Sequence, residues 1–295
     1  WNDFQYSYSN GQPTYLHIEN ITFFTTTVDG YCIYSKVTQV TMENVTIDGY
    51  SGGEGRWTET SGGALRLRSA TYTGHNVNSP TLLDVTVTNC CRGLRIQDSN
   101  GVYVKDCNIV KASGASYGVS DNGLYFAAGD YTSATGCQNC TFDGCDVENA
   151  GQVAFMSIGG LSNTFLNCTM DTSTGAVFGC YNTNGTINVT NCSFTNANTA
   201  VSGETSGWGG SVDNFGGAAC GVSVQTGDTS AHIIVSNCSF ISGGGVVFWK
   251  SSTTGAMTNT SNTMTSGGFS GWGTDFTPPV ITQVTPIPNI VASTI

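Results

Sequence analysis

One short phrase recurs along this chain: an Asn, then a small or β-branched residue, then Thr or Ser, then a large apolar residue. It reads E-N-I-T-F at 19–23, E-N-V-T-I at 43–47, Q-N-C-T-F at 138–142, L-N-C-T-M at 166–170, T-N-C-S-F at 190–194 and S-N-C-S-F at 236–240. Shorter variants are T-N-C-C at 88–91, D-C-N-I at 106–109 and S-N-T-M at 261–264. The position that follows the Asn falls at Ile21, Val45, Cys90, Cys107, Cys140, Cys168, Cys192, Cys238 and Thr263, in steps of 24, 45, 17, 33, 28, 24, 46 and 25 residues. Self-similarity at this period marks stacked supersecondary units, with the two long steps read as insertions or double turns.

A second phrase alternates with the first and is usually led by Gly. It reads G-Y-C-I-Y at 30–34, G-A-L-R-L-R at 63–68, G-L-R-I-Q at 93–97, G-L-Y-F at 123–126, V-A-F-M at 153–156, A-V-F-G-C-Y at 176–181, G-V-S-V-Q at 221–225 and V-V-F-W at 246–249. Period-2 alternation between Gly, Asn and Ser turns is the pattern of short strands. No helical pattern of 10–15 residues lies between them, which excludes a βαβ sheet. A single turn of this kind cannot bury its own apolar face. Stacked turns pair each strand with the next coil and enclose a continuous core. The expected fold is all-β, a single-stranded parallel β-helix of about 9–11 coils, with the Asn side chains laddered at a corner. The coils are assigned to residues 1–270 and a Pro-rich extended tail to 271–295.

Composition agrees. Hydrophobic residues make up 39% of the 295 residues, enough for a core, while charged residues are only 10% against about 25% in ordinary domains. Net charge is −11, from 9 Lys+Arg and 20 Asp+Glu, the opposite of a nucleic-acid footprint. No apolar run reaches the length of a membrane-spanning helix. Opening at Trp1 without an initiating Met, the numbering is expected to begin inside a mature or longer product. Low charge and abundant Thr and Asn favour an extracellular or surface setting. Nine N-x-S/T sequons stand as glycosylation candidates, at Asn20, Asn44, Asn139, Asn167, Asn184, Asn188, Asn191, Asn237 and Asn259; about six would arise by chance in such a composition.

The N-C-T-F and G-L-x-I alternation resembles the right-handed parallel β-helix repeats of the pectate-lyase-like superfamily, which includes pectate lyases, polygalacturonases, alginate lyases and phage tailspikes. The resemblance covers residues 15–265. It implies carbohydrate handling, and if catalysis, lyase or glycoside hydrolase chemistry. The sequence departs from those enzymes: the paired-Asp, G-H-G and R-I-K motifs of polygalacturonases are absent, L-R-I-Q at 94–97 is no substitute, and so are the calcium-binding Asp clusters of pectate lyases.

The twelve cysteines divide by position. Cys90, Cys107, Cys140, Cys168, Cys192 and Cys238 share the slot of Ile21 and Val45 and read as a stack of small buried side chains, and Cys32 and Cys180 fall in second-phrase strands. Cys91, Cys137, Cys145 and Cys220 lie outside the slot and stand as bridge candidates. C-x-x-C at 137–140 has no second pair and only three His exist, so no metal or cofactor is expected.

Basic residues cluster. Arg56, Arg66, Arg68, Arg92 and Arg95 are five of the nine, and alternation places Arg66, Arg68, Arg95 and Tyr125 on one outer face in successive coils. An Arg row with an aromatic neighbour suits the carboxylates or sulfates of an acidic polysaccharide; ion pairs to Glu54, Glu59 and Asp98 are the plainer use. The insertion at 50–80 supplies Trp57 as a stacking ring, with Glu59 and His75. Glu59 with Asp98 or Asp121 would make the two-carboxylate pair of a glycoside hydrolase, and His75 with Tyr125 the base of an elimination. Asp121 also suits a simple turn, like Asp29 before its strand. The Gly-rich insertion at 200–220 carries Trp208 and Phe215. Four of the six prolines fall in T-P-P-V-I-T-Q-V-T-P-I-P at 277–288, which cannot continue a coil. Its V-I-T-Q-V suits addition to a sheet edge. That frames the alternative function, a structural subunit of a fibre, spike or virion that self-assembles through its ends or tail.

Overall fold

The computed structural model describes residues 4–5, 15–24, 31–35, 39–48, 63–68, 77–78, 80–88, 92–97, 99–110, 124–128, 138–150, 153–158, 162–173, 178–181, 184–195, 220–224, 230–241, 246–250 and 256–264. Every one of these stretches is strand, turn or bend, and no helix occurs among the described residues. The second phrase forms a nine-stranded sheet: Phe4–Gln5, Tyr31–Ser35, Gly63–Arg68, Arg92–Gln97, Leu124–Ala128, Val153–Ile158, Phe178–Tyr181, Cys220–Val224 and Val246–Lys250, each beside the next. The first phrase forms a 15-stranded sheet folded along its length, which begins with Leu16–Phe24, Val40–Asp48 and Thr81–Thr88 and then divides into two arms at each bend. All pairings are parallel, as in Val40–Asp48 with Thr81–Thr88 and Asn184–Thr190 with Ser230–Ser236. A chain that alternates between two parallel sheets in this order is a parallel β-helix.

The bend explains the Asn. Asn20, Asn44, Asp84, Asp106, Asn167, Asn191, Asn237 and Ser261 all have φ between 50° and 56°, and Gly144 has φ 64°. At this bend each coil turns through one left-handed residue, which Asn, Asp and Gly tolerate best. Gly144 is forced further, since a Cβ there would lie 2.6 Å from Asp106 Oδ1. The bend N–H donates to the next coil, as Asn167 N does to Thr190 O at 3.0 Å and Asn237 N to Thr260 O at 3.0 Å.

Behind the bend, inward residues stack. The slot is filled by Val45, Val85, Cys107, Cys145, Cys168, Cys192 and Cys238, all buried. One arm stacks Phe142 on Phe165, with centroids 4.8 Å apart and planes 4° from parallel. The other stacks Phe194 on Phe240 at 5.3 Å, and Phe155 of the nine-stranded sheet meets Phe165 edge-on at 5.9 Å.

Three assignments from the repeat change. Cys140 belongs to a different bend, after Asn139 at φ 53°, where its neighbours in register are Val102 and Asn163; Cys145 fills the slot of that coil and is a free buried thiol, not a bridge candidate. Val85 holds the slot one coil after Val45, while Cys90 lies outside the described residues. Asn262, not Thr263, ends the slot, with Ser261 in the bend. The Asn ladder is real but interrupted: Asn44 Nδ2 donates to Asn20 Oδ1 at 2.6 Å and Asn191 Nδ2 to Asn167 Oδ1 at 3.5 Å, and Asp84, Asp106 and Gly144 stand between these runs. The tail 271–295 lies outside the described residues.

Replacing Asn167 by Ala is expected to lower stability by about 1 kcal/mol, because Ala lacks the short polar side chain that eases the left-handed conformation and donates to Asp143 Oδ1, while Asn167→Gly, free of the Cβ, should cost less. Urea denaturation followed by far-UV circular dichroism checks the order.

Candidate functional site

Among the described residues, buried free thiols line up into a column. In several coils the slot residue's own N–H donates to a side chain of the next coil. Val85 N donates to Cys107 Sγ at 3.4 Å and Cys192 N to Cys238 Sγ at 3.4 Å. Each thiol donates in turn to the carbonyl two residues before it, as Cys107 does to Lys105 O, Cys168 to Leu166 O, Cys192 to Thr190 O and Cys238 to Ser236 O, all at 3.3 Å. Where Cys is replaced, Asn does the same work: Asn262 Oδ1 accepts from Cys238 N at 2.7 Å, and buried Asn163 Oδ1 from Cys140 N at 3.0 Å. Cys is thus more than a small apolar filler, since it meets a donor and an acceptor that Val cannot.

The column is not nucleophilic. Burial pushes the Cys145 thiol well up. Hydrogen bonding with Cys168, aided by burial, pushes Cys192 up to about 12, and hydrogen bonding with Cys192 together with burial raises Cys238. Hydrogen bonds from the Cys145 and Cys192 thiols lower Cys168 between them. A thiolate is the reactive form, and none of these sulfurs reaches solvent. Among the described residues no group of three or more His, Cys, Asp or Glu side chains is placed to hold a metal ion. No helix among them is long and apolar enough to cross a membrane.

The two sheets differ in charge. Strands of the nine-stranded sheet contain Arg66, Arg68, Arg92, Arg95 and Lys250 and no Asp or Glu. Strands of the 15-stranded sheet contain Glu19, Glu43, Asp48, Asp84, Asp143, Asp146, Glu148 and Asp171 against Lys105. In register, Arg66 pairs with Arg95 on one side and Tyr34 on the other, and Arg68 pairs with Gln97. Leu94 and Ile96, on either side of Arg95, are buried. The position beside Arg95 in the following strand is Ala127, because Phe126 pairs with Leu94; Tyr125 therefore lies two residues upstream of the point expected for it. Trp57, Glu59, His75, Asp98 and Asp121 lie outside the described residues, as do Cys91 and Cys137.

On the other sheet, structure brings together groups that the repeat did not single out. Rings of Tyr15 and His17 are stacked at 6.3 Å, and His17 Nε2 lies 3.2 Å from Glu19 Oε2. Glu19 and Glu43 are register neighbours. Lys105 Nζ sits 3.7 Å from Asp106 Oδ2, both exposed, a pair of little energetic weight. Hydroxyls form rungs, as Ser239 Oγ to Ser193 Oγ at 2.9 Å and Thr88 Oγ1 to Asp48 Oδ1 at 2.9 Å, and Thr169 Oγ1 donates to Asp146 Oδ1. For Thr169, Ser193 and Ser239 the signal was present as the Thr or Ser after the slot residue. It also accounts for six of the nine sequons. Asn in the bend, a slot residue inside and a hydroxyl on the next outward position spell N-x-S/T at Asn20, Asn44, Asn139, Asn167, Asn191 and Asn237, all six exposed.

No family model matches the chain, and no curated protein matches it in sequence. Among solved structures, the Streptococcus pneumoniae surface protein and adhesin PfbA is similar over 88% of this chain and 91% of that chain, at 10% identity and a TM-score of 0.31. The fold assignment rests on this chain's own strand pairing, and the protein defined by it is a parallel β-helix with one basic and one acidic sheet.

Two outcomes follow from the thiol column. Alkylation of the denatured, unreduced protein should label Cys107, Cys140, Cys145, Cys168, Cys192 and Cys238 as free thiols, and mass mapping should find no disulfide-linked peptides joining them. Cys145, Cys192 and Cys238 hold their protons more tightly folded than unfolded, so their contribution is whole below the ordinary thiol value near ~8.5 and is lost as pH rises toward the folded values. Cys168 opposes them. The urea midpoint should therefore fall as pH rises above about 8.5, and less steeply in Cys192→Ala.

Proposed function

We propose that this chain is an extracellular or surface β-helix that binds an acidic polysaccharide along its nine-stranded sheet, through Arg66, Arg68 and Arg95, with Tyr125 on the strand that follows. The observation that carries the reading is the charge partition: in a chain of net charge −11, the strands of one sheet hold five basic residues and no acidic ones. Arg66 and Arg95 are direct register neighbours, one strand spacing of about 4.8 Å apart in the backbone. Two like charges at that range repel by about 1 kcal/mol even in water, and more near a protein surface. An anion between them removes that cost. Within the sheet no strand supplies a carboxylate to do so.

A linear polyanion fits such a row because its charges repeat along a line, as the coils do. Guanidinium groups hold carboxylates and sulfates through paired hydrogen bonds, which ammonium groups do not. Trp57 would add a stacking ring. Cleavage, if the chain performs it, would draw on Glu59, Asp98, Asp121 and His75; binding needs none of them. The low charged content supports the extracellular setting.

The triple variant Arg66→Ala, Arg68→Ala, Arg95→Ala should lose at least about tenfold in affinity for alginate-, pectin- or sulfated-type polymers, equivalent to about 1.4 kcal/mol. Wild-type binding should weaken with added salt. Calorimetric titration reads both. A wild-type protein that binds none of these polymers removes the reading, whatever the variant does.

A further inference from the structure

Five thiols follow one another through the core. Cys107, Cys145, Cys168, Cys192 and Cys238 belong to five consecutive coils, and the backbone fixes their order. Cys107 O accepts from Asp146 N, Cys145 O from Thr169 N, Cys168 O from Ser193 N and Cys192 O from Ser239 N, each at 2.9 Å. All five are free and at most 2% exposed. The column is bounded inside the described coils, by Val85 in register before Cys107 and by Asn262 after Cys238.

Consecutive parallel strands lie about 4.8 Å apart. A thiolate sulfur lies about 2.3 Å from a d10 ion such as zinc, so a linear sulfur–metal–sulfur unit spans about 4.6 Å. An ion midway between sulfurs of two stacked coils therefore takes the place of two thiol protons and asks for no shift of a strand. The donor set decides which ion. Zinc closes a tetrahedron of four ligands, and no carboxylate or imidazole is buried among the described residues to complete one. Paired thiolates suit a soft cation of low coordination number. Charge selects its valence: two thiolates neutralise a divalent ion, whereas a monovalent ion leaves a net negative charge in a dry core, which is costly. Mercury(II) meets these conditions.

Five sulfurs make two pairs and leave one over. Hydrogen bonds to a sulfur favour its thiolate. Cys107 Sγ accepts from Val85 N and Cys238 Sγ from Cys192 N, both at 3.4 Å. These sulfurs are the two ends of the column, which places one pair at each end and leaves Cys168 between them.

We propose that the column binds soft divalent cations, each held linearly between the thiolates of two successive coils, Cys107 with Cys145 and Cys192 with Cys238. Two thiol protons leave to solvent as each ion binds, and the thiol bonds to Lys105 O and Ser236 O are given up. The ion staples coils that no disulfide joins. Sites this deep fill through local opening of coils, so uptake is slow. The site is independent of glycan binding on the basic sheet.

For the test, the native protein is treated with iodoacetamide, which caps thiols that reach solvent. It is then equilibrated with mercury(II) and passed over a chelating resin. Metal analysis is expected to find two more ions per chain in the wild type than in Cys145→Val/Cys192→Val, whose remaining column sulfurs lie two coils, about 9.6 Å, apart. Val already fills this slot at Val45 and Val85, so the circular dichroism should be unchanged. Cys168→Val should load like the wild type, and zinc should show no difference between wild type and the double variant. The loaded wild type should melt at a higher temperature than the unloaded protein, and X-ray absorption at the mercury edge should show two sulfur neighbours. Equal mercury uptake by wild type and double variant, or loss of uptake in Cys168→Val, would overturn the proposal. Should the double variant fail to fold, the X-ray absorption of the wild type decides alone: one sulfur neighbour, or more than two, overturns it.

Discussion

The structure depends on what happens to one backbone N–H per coil. A left-handed residue turns the chain sharply between the arms of the 15-stranded sheet, and it leaves the next N–H pointing into the core. An unpaired buried donor costs about 1–3 kcal/mol. A side chain from the following coil answers it: Cys107 for Val85, Cys238 for Cys192, Asn262 for Cys238. Where the following coil offers Cys or Asn, it thus completes its neighbour and fixes the stacking register more firmly than the apolar contact of Val45 with Val85 does. The same requirement selects residues. Asn, Asp or Gly suits the bend, and a thiol or an amide suits the slot because it both accepts and donates.

Much of the surface follows from this device. Hydroxyls after the slot align into rungs, and six sequons arise from the spelling of the bend. Features unrelated to stacking then stand out. The strands of the nine-stranded sheet have no part in the bend, and they hold the basic residues with no acidic ones. Among the described residues, Ile21 is an apolar slot residue left half exposed. The charge partition carries the functional reading because the repeat does not account for it.

Sequence alone determined the class of fold. Period-2 phrases at a near-constant step, with Asn before a small inward residue, leave a stack of parallel strands as the arrangement that buries every apolar side chain. It also located the basic cluster at 56–95 and the Pro-rich segment at 277–288. What it misassigned was phase. Q-N-C-T-F at 138–142 looks like the other copies, but it serves a second bend, because Gly144 and Cys145 already supply the turn and slot of that coil. Likewise T-N-C-C drew attention to Cys90, whereas V-T-V at 85–87 carries the slot. A short motif reports local conformation, and two bends with the same left-handed residue share one spelling.

Only the tertiary structure decided which residues become neighbours. Insertions of unequal length make the steps between coils irregular, so adjacency of Arg66 and Arg95, or of Ala127 instead of Tyr125 beside Arg95, is set by hydrogen-bond register and not by spacing. The segregation of charge between two sheets is invisible along the chain, where basic and acidic residues intermingle. The difference in exposure between Ile21 and Val45 is likewise invisible, since the two sit in the same phrase. Periodicity determines what a coil is; its neighbours determine what it can do.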